Sequence, residues 1–478
     1  MTIDALYDKA IEKASVLCAK AKFNQSIHWA KFAANILYFS FKTLYEQRIE
    51  NIISSISDRV GRNIAKTVDL QDNRVVFYDS FSYDNRGLTH QYTRALVALG
   101  FQVLYVSENT KLRSTTIYRE LSSYRNVEFY IVPSNSSYMQ RAVMIYDKIM
   151  AYGASRVFLH IKPSALECLI AMRSLPHEII KYNINITDHA YWAGASIVDY
   201  NIEFRHYGAS ISFNYRHLTK SQLLLLPYYP LVDDVPFQGF PFDTDGKVIL
   251  FFGGNLYKIN AQHNFFLNVI KDVLSSYKQT VCVCAGKGDE DNLLSFIAEN
   301  QLEHKLIYIG FREDIYQVVK HCDIFINTYP IGGGLMAQYA AINKKPIVAF
   351  TTRKGRDVET VIHTNKVISV DSRETFLDYI GHLITDKNYR ISEGESLGSN
   401  IPSPSKFNEQ LARTIQIDKT QYEIHFDDVS VTNLSQKDLL QIDAFKVALL
   451  KGLGLRAFVY FPFLFSWFIR FIFHKFLR

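Results

Sequence analysis

Through "DALYDKAIEKASVLCAKAKF" and "SIHWAKFAANILYFSFKTLYEQRIENIISSI", apolar side chains recur every three or four positions, the period of helices that bury one face. Residues 1–68 are therefore expected to form a helical extension. From residue 74 the pattern changes to short β-branched and aromatic runs separated by helical stretches: "RVVFYD", "FQVLYV", "VEFYIV", "RVFLHI" and "EIIKYNINI". Strands that are apolar on both sides and alternate with helices predict a parallel sheet covered on both faces. Between the first two runs, "DNRGLTHQYTRALVALG" supplies a turn, a helix and a terminating Gly100.

The stretch "LPYYPLVDDVPFQGFPFDTDG" carries four prolines and two glycines without periodicity, and it reads as an interdomain connection. A second series follows it: "KVILFF", "TVCVCAG", "KLIYIG", "DIFINT" and "KPIVAF". The expected division is a helical extension at 1–68, a Rossmann-like domain at 69–230, a linker at 231–246, a second Rossmann-like domain at 247–420 and a carboxyl-terminal segment at 421–478. In open sheets of this class ligands bind beyond the carboxyl ends of the strands, so the loops there are where chemistry is expected.

A chain of 478 residues with 48% hydrophobic and 21% charged residues has the makings of two or three folded domains. Its five cysteines form no paired framework and read as buried thiols in a reducing compartment. The net charge of +6 is concentrated at one end, since the residues from Gln441 onward carry +5 of it, so nucleic acid is not an expected partner. Within that basic end, thirteen mostly aromatic and aliphatic residues lie between Arg456 and Arg470, followed by a second apolar cluster closed by His474, Lys475 and Arg478. Thirteen is short of the roughly 20 that span a bilayer, and cations bracketing aromatics suit the headgroup zone of an anionic membrane. The expected location is cytoplasmic, peripheral at the inner face of the cell membrane.

In the second domain "FFGGNLYKIN" ends an apolar run on Gly253, Gly254 and Asn255 and then sets down Lys258. After the fourth run, "NTYPIGGGLMAQYAAINKKPIVAF" places Thr328 and then Gly332, Gly333 and Gly334 before a short helix. Glycines let backbone approach a ligand, and a helix start offers unpaired N–H groups to an anion. A lysine from the adjacent loop would give a diphosphate donors on two sides. Neither loop has the spacing of an ATP-hydrolysing phosphate loop or of a dinucleotide fold.

These residues, with "LIYIGFREDI" and "HCDIFINTYPIGGG", resemble the donor-binding half of GT-B glycosyltransferases, and "NLYKI" is similar to the element found in the O-linked N-acetylglucosamine transferase group and its bacterial relatives. The amino-terminal helices likewise resemble a single tetratricopeptide-like hairpin. The first resemblance covers roughly residues 74–415 and implies an α/β GT-B architecture, two Rossmann-like domains facing across a cleft. It also implies that Lys258 contacts the diphosphate of a nucleotide sugar, that the backbone around Gly310 and Phe311 holds the base, and that Gly332–Gly334 receives phosphate. Arg312 is a further candidate at the diphosphate. Where many GT-B enzymes place an acid for the ribose, this chain has Tyr339 preceded by Gln338, which can still hydrogen-bond a ribose.

In the first domain, "NINITDHAYWAGASIVDYNIEFRHYGASISFNYRHL" packs Asp188, His189, Trp192, Asp199, Glu203, Arg205, His206 and Tyr207 together, a mixture suited to sugar hydroxyls and pyranose faces. This string resembles bacterial surface-polysaccharide glycosyltransferases. Inverting transfer needs a base on the acceptor hydroxyl, and His90, Asp188 and His189 are the candidates, each expected in a loop facing the cleft. No metal and no cofactor is expected beyond the donor, a UDP-sugar in first place. The expected function is transfer of a sugar to a glycan acceptor, a lipid-linked capsule or lipopolysaccharide intermediate; a protein O-glycosyltransferase and a non-catalytic GT-B scaffold are the alternatives.

Overall fold

The structure is a computed structural model; it describes all residues except 1, 61–68, 82–86, 233–234, 260–263, 289, 353, 356, 399, 432–434 and 477–478, and it describes no side chains at 357, 360 or 470–476. The cations Arg470, His474, Lys475 and Arg478, on which part of the membrane expectation rests, thus lie outside the described side chains.

Two parallel sheets form the body. The first contains β1 (Gln71–Asp79), β2 (Gln102–Ser107), β3 (Val127–Ile131), β4 (Ala154–His160), β5 (Ile180–Ile184), β6 (Tyr200–Glu203) and β7 (Leu223–Leu225), in the order β3-β2-β1-β4-β5-β6-β7. Val76 of β1 sits opposite Leu104 of β2 on one side and Val157 of β4 on the other. The second contains β8 (Val248–Asn255), β9 (Thr280–Lys287), β10 (Leu306–Tyr308), β11 (Ile324–Ile326), β12 (Ile347–Phe350) and β13 (Ser369–Val370), in the order β10-β9-β8-β11-β12-β13. In each sheet the order reverses beside its first strand, which makes a crevice at the carboxyl ends of β1 and β4 and another at those of β8 and β11. All ten apolar runs named from the sequence are strands. β7, an apolar run of three leucines, is not among them, and β6 and β13 lack that signature: β6 is short and carries Asn201 and Glu203, both buried among polar partners.

The amino-terminal stretch forms three helices, Ile3–Ala19, Phe23–Ser40 and Gln47–Val60. The predicted second helix is divided at Phe41, which closes the Phe23–Ser40 helix in the left-handed conformation. One such hairpin cannot bury its own face; here Ile27, Ile49, Ile53 and Ile56 share a core with Leu166, Leu169 and Ile170 of the first domain. The chain also returns to the first domain after completing the second. The helix Pro404–Ile417 sets Phe407, Leu411 and Ile415 into the core around Phe77, and Phe407 packs on Tyr92 with ring centroids 5.1 Å apart.

Candidate functional site

At the carboxyl edge of the second sheet, Gly253 and Gly254 of β8 pair with Ala285 and Gly286 of β9. A side chain at Gly286 would place its first carbon 1.9 Å from the carbonyl oxygen of Gly254, so this approach of the two strands needs glycine. Gly254 itself has φ +134°, a conformation that L side chains rarely adopt. The chain then makes one tight turn, Leu256–Lys258, and Lys258 Nζ donates to the carbonyl oxygen of Gly332 at 2.9 Å. The lysine and the glycine turn, 74 residues apart in sequence, are therefore in contact.

The glycine turn has its own organiser. Asn327, at the end of β11, accepts from Gly333 N–H at 2.8 Å, and Thr328 Oγ1 donates to the carbonyl of Ile331 at 2.7 Å. The helix that follows, Gly334–Ile342, begins without a side-chain cap from its N-cap residue, Gly333, next to the Gly332 carbonyl that Lys258 reaches. Gly310, at φ +70°, accepts from Gly286 N–H at 2.9 Å, and the half-exposed Phe311 ring has Lys287 Nζ 3.5 Å from its centroid. Lys258, Gly253, Gly254, Asn255, Gly310, Phe311, Thr328 and Gly332–Gly334 thus come from neighbouring strand ends of one sheet edge.

Two residues expected at the donor are engaged elsewhere. Arg312 makes a two-pronged ion pair with Asp314, at 2.7 and 2.6 Å, and donates to the carbonyl of Gly239 at 3.0 Å. Asp314 in turn accepts from Gln238 N–H at 2.8 Å, so the pair clamps the interdomain linker instead of standing open to a diphosphate. Gln338 is fully buried, and its Nε2 donates to the carbonyls of Tyr228 and Val361 at 3.1 and 3.2 Å. Tyr339, at the position of the missing acid, donates from its hydroxyl to the carbonyl of Leu231. Both side chains hold the linker, which removes Gln338 from the expected ribose contact.

In the first domain the three base candidates diverge. His90 is not in a loop: it lies in the first turn of the helix Gly87–Ala98, with Nδ1 2.7 Å from Glu120. Burial would raise the Glu120 carboxyl, but His90 and Arg94 outweigh it and hold the group near 2. Asp188 is buried against Arg205, at 2.5 and 2.9 Å, with His189 Nδ1 at 3.3 Å. Burial alone would raise its carboxyl too; the Arg205 charge and hydrogen bonds hold it well below the ordinary range, which makes it a poor proton acceptor. His189 packs edge-on against Phe41 of the helical extension, with centroids 5.7 Å apart.

The polar string around these residues is mostly internal scaffolding and not an open sugar platform. Trp192 and Tyr207 are buried, and Asp199 lies at the opposite, amino edge of the sheet, paired with Lys181 at 3.0 Å. Arg216, fully buried, donates to the carbonyls of Thr187, Asp188 and Ala190 and so fixes the loop that carries Asp188. Glu203, also fully buried, accepts from Asn185 and Asn201, and burial pushes it up to about 7 against the opposing pull of Arg216. The Asp188–Arg205 pair does reach the second domain. Arg205 lies over the Phe204 ring at 5.1 Å, that ring packs on Tyr228 at 4.9 Å, and the Tyr228 hydroxyl lies within 3.1 Å of the space beside Gly334.

Sequence reasoning passed over a pair at the first crevice. Asp79 ends β1 and His160 ends β4; Asp79 Oδ1 is 3.0 Å from His160 Nδ1, while Oδ2 accepts from Thr89 and Tyr105 at 3.0 and 2.7 Å. His160 Nε2 is buried with no hydrogen-bond partner among the described residues. The signal was present in "RVVFYD" and "RVFLHI", two apolar runs closing on a polar residue at or beside the strand end.

Comparison with known proteins agrees with this fold. Residues 246–386 match the family described as "Glycosyl transferases group 1". Among curated proteins no match to the chain is found. Among solved structures, a Thermobaculum terrenum O-GlcNAc transferase mutant is similar with TM-score 0.54 and 14% identity over 86% of this chain and 84% of its own. Anabaena HepE in complex with UDP and glucose is similar with TM-score 0.54 and 15% identity over 72% of this chain and 99% of its own. A glycosyltransferase from Rickettsia africae is similar with TM-score 0.51 and 13% identity over 72% and 97%. The chain has the GT-B fold, and its second domain carries the match to glycosyl transferases group 1.

Proposed function

We propose that this protein transfers a sugar from a nucleoside-diphosphate sugar, UDP-linked in first place, to a glycan acceptor carried on lipid at the inner face of a cell membrane. The observation that carries the reading is the contact between Lys258 and the Gly332 carbonyl beneath an uncapped helix start, because a departing diphosphate needs positive charge and N–H donors together. The UDP and glucose held by Anabaena HepE, whose fold is shared, favour a uridine donor. Lys258 stabilises the leaving group, the turn at Gly332–Gly334 with the following helix start receives the phosphates, and the strand ends at Gly310 and Phe311 take the base. The lipid-linked acceptor, a surface-polysaccharide intermediate, is favoured by the basic, aromatic carboxyl terminus.

The test is a melting-temperature screen against UDP, GDP, CDP and ADP, followed by transfer of labelled sugar into lipid extract or polypeptide. A nucleotide at a hundred times its Kd stabilises the native state by about 2.7 kcal/mol, so a shift with UDP alone is expected, and it should vanish in Lys258→Ala. The same variant should lose at least about a hundredfold in kcat. No shift with any nucleotide would favour a non-catalytic scaffold, to which the absence of an acid at Gln338 and Tyr339 already lends weight. Label in polypeptide and not in lipid would overturn the acceptor.

A further inference from the structure

The carboxyl terminus folds as three helices, Asp443–Leu453, Arg456–Tyr460 and Phe463–Phe476, and among the described residues no helix is long and apolar enough to cross a membrane. They are nonetheless fixed to the body. Ala457, Phe461 and Leu464 are buried in the same core as the amino-terminal helices. A side chain at Gly452 would meet the Phe32 ring at 2.0 Å, so the Asp443–Leu453 helix lies in close contact with the amino-terminal hairpin. Trp467 Nε1 donates to Asp443 Oδ1 at 2.8 Å, which ties the last helix back to the first of the three.

The opposite face is apolar and bare: Leu455 is 82% exposed, Val459 76%, Phe465 57%, Phe463 41% and Ile469 39%. Isolated exposed apolar residues are ordinary, but five within fifteen residues at a docked helical pair expose more apolar surface than water favours. Exposed cations stand around it, with Asp8 and Glu12, also exposed, flanking Lys9 on its own helix. Lys451 and Arg456 are exposed beside it, Lys9 Nζ stands 5.8 Å from the Tyr460 ring, and Asp443 is neutralised by Lys446 at 2.8 Å. Two such faces brought together would set Lys9, Lys451 and Arg456 against their own copies and repel; an anionic headgroup layer would be attracted to them and would accept the aromatic side chains.

We infer that the helices at 456–476 and the amino-terminal hairpin form one rigid platform that lies on an anionic lipid bilayer, with Val459, Phe465 and Ile469 entering the interface and Lys9, Lys451 and Arg456 on the headgroups. This deepens the glycosyl-transfer reading and rests on it only for the lipid-borne acceptor. The platform is built on the core of the first domain, so the bilayer would fix that domain's orientation.

The experiment is co-sedimentation of the full chain with phosphatidylglycerol-containing vesicles and with phosphatidylcholine vesicles. Wild type should pellet with the anionic vesicles, less so as salt is added. Val459→Asp with Phe465→Asp, both at exposed positions, should bind at least about tenfold more weakly. Lys9→Glu should bind more than about fivefold more weakly, since a cation near such a surface contributes on the order of 1 kcal/mol and the new carboxylate is repelled. Wild type left in the supernatant, or an unchanged double variant, overturns the lipid face; an unchanged Lys9→Glu overturns the platform. A dimer that the double variant dissociates would reassign the face to a second copy. The UDP melting shift, measured without vesicles, should be the same in all variants, so its absence would count against the enzyme reading alone.

Discussion

Glu203 shows how a buried acid shapes the molecule's response to pH. Its ordinary value is 4.5, and burial raises it to about 7 in the folded protein while Ser212, Asn185 and Asn201 hydrogen-bond to it. Between those two values the folded chain keeps a proton that the unfolded chain has released. Stability from this group is therefore full below the lower value and falls as pH rises through the upper one. Glu203→Gln should flatten that decline, so that its melting temperature changes less than wild type's from mildly acidic to mildly alkaline pH. Parallel profiles for the two proteins would show that Glu203 is ionised throughout. That Lys258 and the glycines lie at one sheet edge was legible in the sequence because each follows a strand-like apolar run. The roles of Glu203, Arg205 and Arg216 were not, because a charge in a polar string reads the same whether its partner is a sugar or a buried guanidinium.

Strands were the most readable elements, since a run buried on both faces must be apolar along its length. β6 escaped because its buried partners are amides and carboxylates, and β13 because it has only two residues. The loops depended on something the alphabet hides, namely how near one strand end comes to another. Gly286 makes the case. It does not require positive φ, yet its missing side chain leaves room for the Gly254 carbonyl, whereas Gly100, at φ +84°, has nothing within 4 Å. Gly100→Ala should cost about 1 kcal/mol through backbone strain alone. Gly286→Ala should cost more, because the atom in its way is backbone and β8 must move away from β9; the displaced Gly254 turn should also weaken the UDP shift. Denaturant titration of the two variants checks this, and equal losses would mean that the strand ends yield freely.

Across the whole molecule the two domains are joined more firmly than a proline-rich linker implies. Arg312 and Asp314 grip Gly239 and Gln238, Gln338 and Tyr339 grip Tyr228 and Leu231, and the helix Pro404–Ile417 crosses back to the first core. The strap that follows it adds another tie: His425 N–H donates to His206 of the first domain at 3.2 Å, and Lys354 N–H of the second donates to Ser430 Oγ at 2.9 Å. Arg312 therefore has two possible employments, phosphate ligand by resemblance and linker clamp by geometry, and they predict different behaviour. As a clamp, its loss leaves the buried Asp314 carboxylate without its counter-ion, which should cost about 2 kcal/mol of stability. The UDP-induced shift should survive, because Lys258 and the glycine turn stay where they are. As a phosphate ligand, its loss would spare the melting temperature of the unliganded protein and abolish the shift, as Lys258→Ala is expected to do. Arg312→Ala measured with and without UDP separates the two: a lower melting temperature with an intact shift assigns the arginine to the clamp on the linker.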